Sequence, residues 1–155
     1  MALEYGLYIQ THLHPEQSLT LMFTGIGVQA RIKKLDKRGV FIATDPSGLT
    51  TYAYRFFDNY PSYIATDLGI EASMLIVFRL DKFQDWETQK KTLLRATLKL
   101  LRQVKGDAAL LFNGEVVWLL HKEGELILNS GSDLWRPDDL VLVTLPYQMK
   151  DFPRL

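Results

Sequence analysis

What most restricts this chain is a contrast of periods: one long segment repeats like a helix, and short runs of period two lie on both sides of it. Asp85 stands where a helix cap is needed and Gly106 lies just past the other end, so about five turns of helix are predicted between them. At 100° per residue Trp86, Leu93, Thr97, Leu100, Leu101 and Val104 share one apolar stripe, with Lys91, Arg95, Lys99 and Arg102 opposite. Lys90 falls inside the stripe and is expected to snorkel its ammonium out to water.

Before this helix, Leu3, Tyr5, Leu7 and Ile9 alternate with polar positions, the pattern of a half-buried strand. His14-Pro15-Glu16 then begins a short helix running to about Phe23, which Gly25 and Gly27 end. Val28 to Lys33 and Val40 to Thr44 flank the turn residues Asp36 to Gly39 and read as a hairpin. Asp45-Pro46-Ser47-Gly48 is a type I turn leading into a third strand, Leu49 to Phe57. Periodicity then breaks from Asp58 to Gly69, a long irregular connection of the kind that often carries binding surfaces. Ser73 to Leu80 is continuously apolar, as suits a strand covered on both faces in the middle of a sheet.

After the helix, Asn113-Gly114 between Ala108–Phe112 and Val116–His121 is the strongest hairpin signal in the sequence. Glu123-Gly124 turns the chain into Leu126 to Asn129. Asp133 to Asp138 reads as a loop or single turn, and Leu140 to Leu145 as a last strand before Pro146. The fold class is therefore α+β: a two-layer sandwich in which a largely antiparallel, twisted sheet carries one long and one short helix on one face. Hairpins dominate, which disfavours a doubly wound fold, and no repeat or linker divides residues 1–155, so a single domain is expected.

Composition then narrows the function. Eighteen basic residues balance eighteen acidic ones, whereas a nucleic-acid binder usually shows a basic excess. The absence of cysteine removes disulfides, thiolate nucleophiles and the common zinc sites. Met-Ala-Leu-Glu-Tyr lacks the basic and apolar regions of a secretory signal, and no run of about 18 apolar residues occurs, so a soluble cytoplasmic protein without membrane or nucleic-acid partners is expected.

No arrangement for catalysis emerges. His12 and His14 with Glu16 could start a metal site, but side chains at a strand-to-helix junction more simply face water; His121 reads as a surface residue at a hairpin end. Asp138-Asp139 after Pro137 reads as a solvated helix start. No Gly-x-Ser-x-Gly elbow or phosphate-binding glycine motif is present, so no cofactor or metal is expected. Arg31, Lys33, Lys34, Lys37 and Arg38 concentrate charge on one hairpin near Tyr52 and Tyr54; a nucleic-acid surface can be built from them, but solubility and edge protection account for them more simply. The densest aromatic stretch runs from Tyr52 to Tyr63, and its members Arg55, Asp58, Tyr60 and Tyr63 are the main candidates for an exposed partner-binding rim, with Trp135 and Arg136 as a second patch.

Three segments together carry a family likeness: the opening Met1 to Leu7, Val77-Phe78-Arg79-Leu80-Asp81-Lys82-Phe83, and Gly106 to Glu115. With the closing Leu145-Pro146-Tyr147 they resemble the Sit-type immunity proteins of bacterial polymorphic-toxin systems. The resemblance implies a small cytoplasmic protein that occludes a cognate toxin domain without catalysis; the shared segments are scaffold and assign no contact residue. The competing readings are a small hydrolase or transferase with an unfamiliar site, and a scaffold subunit of a larger assembly.

Overall fold

In the computed structural model, which describes residues 3–56, 62–131 and 134–155, tight turns fix the register of one half of the sheet. Asn113 and Gly114 sit at φ 49° and 75°, and Glu123 and Gly124 at 52° and 82°. Each pair is left-handed at both central positions, the twist that lets two strands meet without splaying. They join β6 (Ala108–Phe112) to β7 (Val116–Lys122) and β7 to β8 (Glu125–Asn129). In the other half, Asp45 closes the turn between β3 (Phe41–Thr44) and β4 (Thr50–Arg55) by accepting the Leu49 N–H on its carboxylate at 3.0 Å.

The remaining strands are β1 (Leu3–Ile9), β2 (Arg31–Lys34), β5 (Met74–Leu80) and β9 (Tyr147–Lys150). Among the described residues they form one sheet in the order β2-β3-β4-β5-β1-β6-β7-β8-β9, antiparallel except where β9 runs beside β8. The fold class is α+β, as the alternating periods indicate. β1, and not β5, occupies the centre, and it is covered on both faces: Tyr5, Leu7 and Ile9 point to one side and Tyr8 to the other, all buried.

The helices α1 (Pro15–Gly25) and α3 (Trp86–Gln103) cover one face. His14 caps α1 by accepting the Glu16 N–H on Nδ1 at 3.2 Å, and Gln17 returns a bond to the His14 N–H at 2.8 Å. Asp85 caps α3 through the Thr88 hydroxyl and the Glu87 N–H, and these bonds, the hydroxyl's first, hold its carboxyl below the usual range. Gln89, fully buried one turn on, accepts the Asp81 N–H and donates to the Asp81 carbonyl, fastening the helix to the end of β5.

Two expectations from periodicity need correction. Part of the connection read as irregular, 62–68, is the helix α2 (Ser62–Leu68), and it lies on the opposite face, where Ile64, Leu68 and Ile70 pack with Tyr8, Leu75, Leu111 and Leu120. Leu140 to Leu145 is not a strand: Leu140 ends the short helix α4 (Pro137–Leu140), and the rest runs as turn and coil to β9. Those apolar residues are there because Leu140, Leu142, Val143 and Leu145 pack against the α3-side core, and burial without a sheet partner leaves the same signature in sequence as a strand.

Gly106 does not act as a left-handed helix terminator. A Cβ there would lie 1.7 Å from the Gln10 carbonyl oxygen, where the end of β1 crosses the chain leaving α3 and Gln10 donates to Asp107. No rotamer change relieves a clash with backbone. Gly106→Ala is therefore expected to cost about 3 kcal/mol or more, measured by urea unfolding; a loss below about 1 kcal/mol would show that the crossing can spread.

Candidate interaction surfaces and a buried charge

All three tryptophans of the chain gather at one place on the α3 side, around an ion pair. The Lys90 ammonium donates to Asp139 Oδ2 at 2.9 Å, and the two residues are 3% and 1% exposed. The ammonium also lies 5.3 Å from the Trp86 ring centre and 5.6 Å from that of Trp118, so its other protons face π electrons. Asp139 Oδ2 accepts the Arg136 N–H as well, while Oδ1 is buried with no hydrogen-bond partner among the described residues. Lys90 does not snorkel and Asp139 is not solvated, contrary to what their positions suggest in sequence. Arg136 and Asp139 reach the first turns of α3, at Glu87 and Lys90, and both partners of the pair are shut off from water.

The aromatic rings lock that closure. Trp135, expected at the surface, is 9% exposed; its indole N–H donates to the Trp118 carbonyl at 2.9 Å, and the Trp118 N–H donates to the Leu134 carbonyl at 3.0 Å. Arg136 stays outside, paired with Glu87 at 3.2 Å and over the Trp86 ring at 5.8 Å. The second patch is thus divided: Trp135 belongs to the core and only Arg136 is available to a partner. Tyr5 completes the cluster, 4.7 Å from Trp118 between ring centres. Burial first, then the field of Asp139, pushes its phenol up from 10.0 to about 12.

The first candidate rim is dispersed. Arg55 donates to the carbonyls of Thr11 and Leu13, beyond the C-terminal end of β1. Tyr63 donates to the Gly114 carbonyl, beside the turn that meets the N-terminal end of β1. The length of β1, roughly 20 Å, separates the two, so the structure does not bring them into one patch. Asp58 and Tyr60 lie outside the described residues. Arg55 also serves the scaffold, because its guanidinium ties the loop before α1 to the end of β4. No sequence pattern distinguishes it there from a free surface arginine.

The residues considered for chemistry do not converge. His14 is occupied as a helix cap and as an edge-to-face partner of Phe41, 5.2 Å away. His12 lines a groove of about 540 Å³ with Arg55, Ser73 and Lys105. His121 is buried, not at the surface, with Nδ1 3.3 Å from the Gly106 carbonyl. Asp138 is exposed while Asp139 points inward. No group of three or more His, Asp or Glu among the described residues is placed to hold a metal ion. A second groove, about 880 Å³, lies between α2, the β7–β8 hairpin and the C-terminal segment, with Leu120, Ile127 and Phe152 in its walls and charges of both signs at its rim. No helix among the described residues is long and apolar enough to cross a membrane.

The family model for SitI3-like proteins matches residues 3–139, a span that includes both partners of the buried ion pair. No curated protein matches the chain.

Two measurements test the cluster. Asp139→Ala leaves Lys90 charged and unpaired in the core and is expected to cost about 3–5 kcal/mol by urea unfolding, whereas the double substitution Lys90→Met, Asp139→Leu recovers most of it; equal losses in both would mean that the pair's charge is not the controlling factor. Tyr5 must stay protonated in the fold, so its contribution is complete below pH 10 and falls as pH rises toward 12, by roughly 3 kcal/mol in all. Tyr5→Phe should flatten that alkaline loss in a pH series of unfolding curves; an unchanged slope would remove Tyr5 as its source.

Proposed function

We propose that this chain, which belongs to the SitI3-like family, is an immunity protein that binds a cognate bacterial toxin domain and neutralises it by occlusion, without a reaction of its own. The observation that carries the reading is the family match, which extends across nearly all of the described sheet and its two long helices. The geometry supports it in one respect: of the polar residues considered for chemistry, His14 is spent on a helix cap and Asp139 on a buried ion pair. Neutralisation then rests on surface complementarity, with about 1,600 Å² buried in total and a few aromatic or arginine anchors carrying most of the energy. Among the residues singled out in sequence, Arg55, Tyr63 and Arg136 remain proposed contacts, as do Asp58 and Tyr60, while buried Trp135 drops out. Such a protein acts in the cytoplasm of the cell that makes the toxin or receives it from kin.

Expressing the product of the neighbouring open reading frame in a sensitive host, with and without this protein, tests the proposal. Growth should be rescued, the two proteins should co-purify, and protection in vitro should be complete only near equal molar amounts. Failure of rescue with no complex overturns the reading for that pair. Protection by a small fraction of an equivalent would instead indicate turnover and favour an enzyme.

A further inference from the structure

The face that carries α2 is only partly covered. The apolar cluster beneath that helix reaches Tyr54 and Val77 at its fringe and goes no further toward β2. Beyond it lies a wing made of β2, β3 and most of β4 that this cluster does not cover among the described residues. Phe41, Ala43 and Ala53 of these strands face the core under α1, so alternation turns Ile42, Thr44 and Tyr52 outward on the open face, and Arg31 and Lys33 with them. The register aligns Lys33 with Ile42 and Ile42 with Tyr52 in one row across the wing. Ile42 and Tyr52 are half-buried, and Arg31 and Lys33 are exposed.

The β2–β3 turn extends this row into a basic rim. Residues 31–38 hold Arg31, Lys33, Lys34, Lys37 and Arg38 against a single carboxylate, Asp36, and of these Lys34, paired with Phe41, lies on the α1 side. Asp36 is committed to the turn, where it accepts the N–H groups of Arg38 and Val40. None of the five cations takes part in an ion pair among the described residues. Leu35, in their midst, is 50% exposed.

Edge protection alone does not account for this. The opposite edge, β9, is exposed along its whole length and holds one lysine in four residues, so the fold tolerates an edge with far less charge. Since the chain is neutral overall, gathering four net positive charges here leaves an excess of four acids elsewhere. That polarity suits a compact acidic protein face, which can touch the wing alone, and disfavours a long polyanion, which would run on into the acidic remainder. A half-buried aromatic and aliphatic centre inside a charged rim is also the anatomy of a protein interface.

We propose that the β2–β4 wing, with Tyr52 and Ile42 at its centre and Arg31, Lys33, Lys37 and Arg38 around them, is the docking surface for an acidic face of the partner protein. The proposal rests on the immunity reading and adds the partner's chemistry: the toxin meets this protein through a negatively charged surface, unlike the basic active-site face of a typical nuclease.

The test uses the purified toxin–immunity complex. Affinity should fall about tenfold or more in Arg31→Glu, Lys33→Glu, by an intermediate amount in Arg31→Gln, Lys33→Gln, and not at all in Lys150→Glu on the opposite edge. Wild-type affinity should weaken steadily between about 50 and 500 mM salt. Thermal melts confirm that each variant is folded, as expected for exposed positions. A complex that forms with unchanged affinity in the charge-reversal variant overturns the docking surface and leaves the immunity function standing. No complex with any variant or the wild type overturns both. Tighter binding of single-stranded oligothymidylate than of the toxin, lost in the same variant, would overturn the choice of a protein partner.

Discussion

The Lys90–Asp139 pair is the constraint on which the arrangement of the α3 side depends. A lysine on the core stripe of a helix is tolerable only if its charge is met on the spot, because taking an ammonium out of water costs several kcal/mol. Asp139 meets it from 49 positions along the chain, and the rings of Trp86 and Trp118 take up the rest of the ammonium surface. This demand fixes where α4 must sit, and the crossing indole bonds of Trp118 and Trp135 follow from it. A pair of this kind adds little net stability compared with apolar side chains of the same size. What it does is penalise every alternative docking of the segment, since a slip would strand two charges in the core.

That docking decides the sheet's topology as well. Segment 134–146 carries the chain from one end of β8 back to the other, so β9 must enter parallel, the one departure from a sheet of hairpins. On the opposite face, α2 and the C-terminal segment cover β5, β1, β6 and β7 and, among the described residues, leave most of the β2–β4 wing uncovered. The asymmetry is one of length: a seven-residue helix spans only about 10 Å and cannot shelter nine strands. Exposure of the wing is therefore a consequence of how the sheet was widened. Its basic rim is a separate choice of sequence, which is why the two together carry functional weight.

The candidate site is less legible in the sequence than the fold. Arg55 and Trp135 look like surface anchors for the same reason, that arginine and tryptophan dominate interfaces, and both prove to have partners within the chain. His121 and Asp139 look solvated because each stands beside charged residues, yet strand and helix directions turn these two inward and their neighbours outward. Local sequence gives the type of a side chain and its angle about an element. It does not say whether another part of the chain will cover it. Nor does the family resemblance supply this, since its segments coincide with β1, β5 and the β6–β7 hairpin, all scaffold.

From the sequence alone came the features with causes inside a few residues: the proline-led start of α1, the Asp85 cap, the five turns of α3, the two left-handed hairpin turns, and the α+β class they require. Only the tertiary structure decided that β1 would lie at the centre, that α2 would occupy the far face, that 141–145 would pack as turn and coil, and that Lys90 would be met by Asp139. The division has a physical origin. Caps, turns and periodicity are fixed by bonds between near neighbours, whereas burial is set by which distant segments compete for the same apolar surface, and that competition is resolved only when the whole chain has folded.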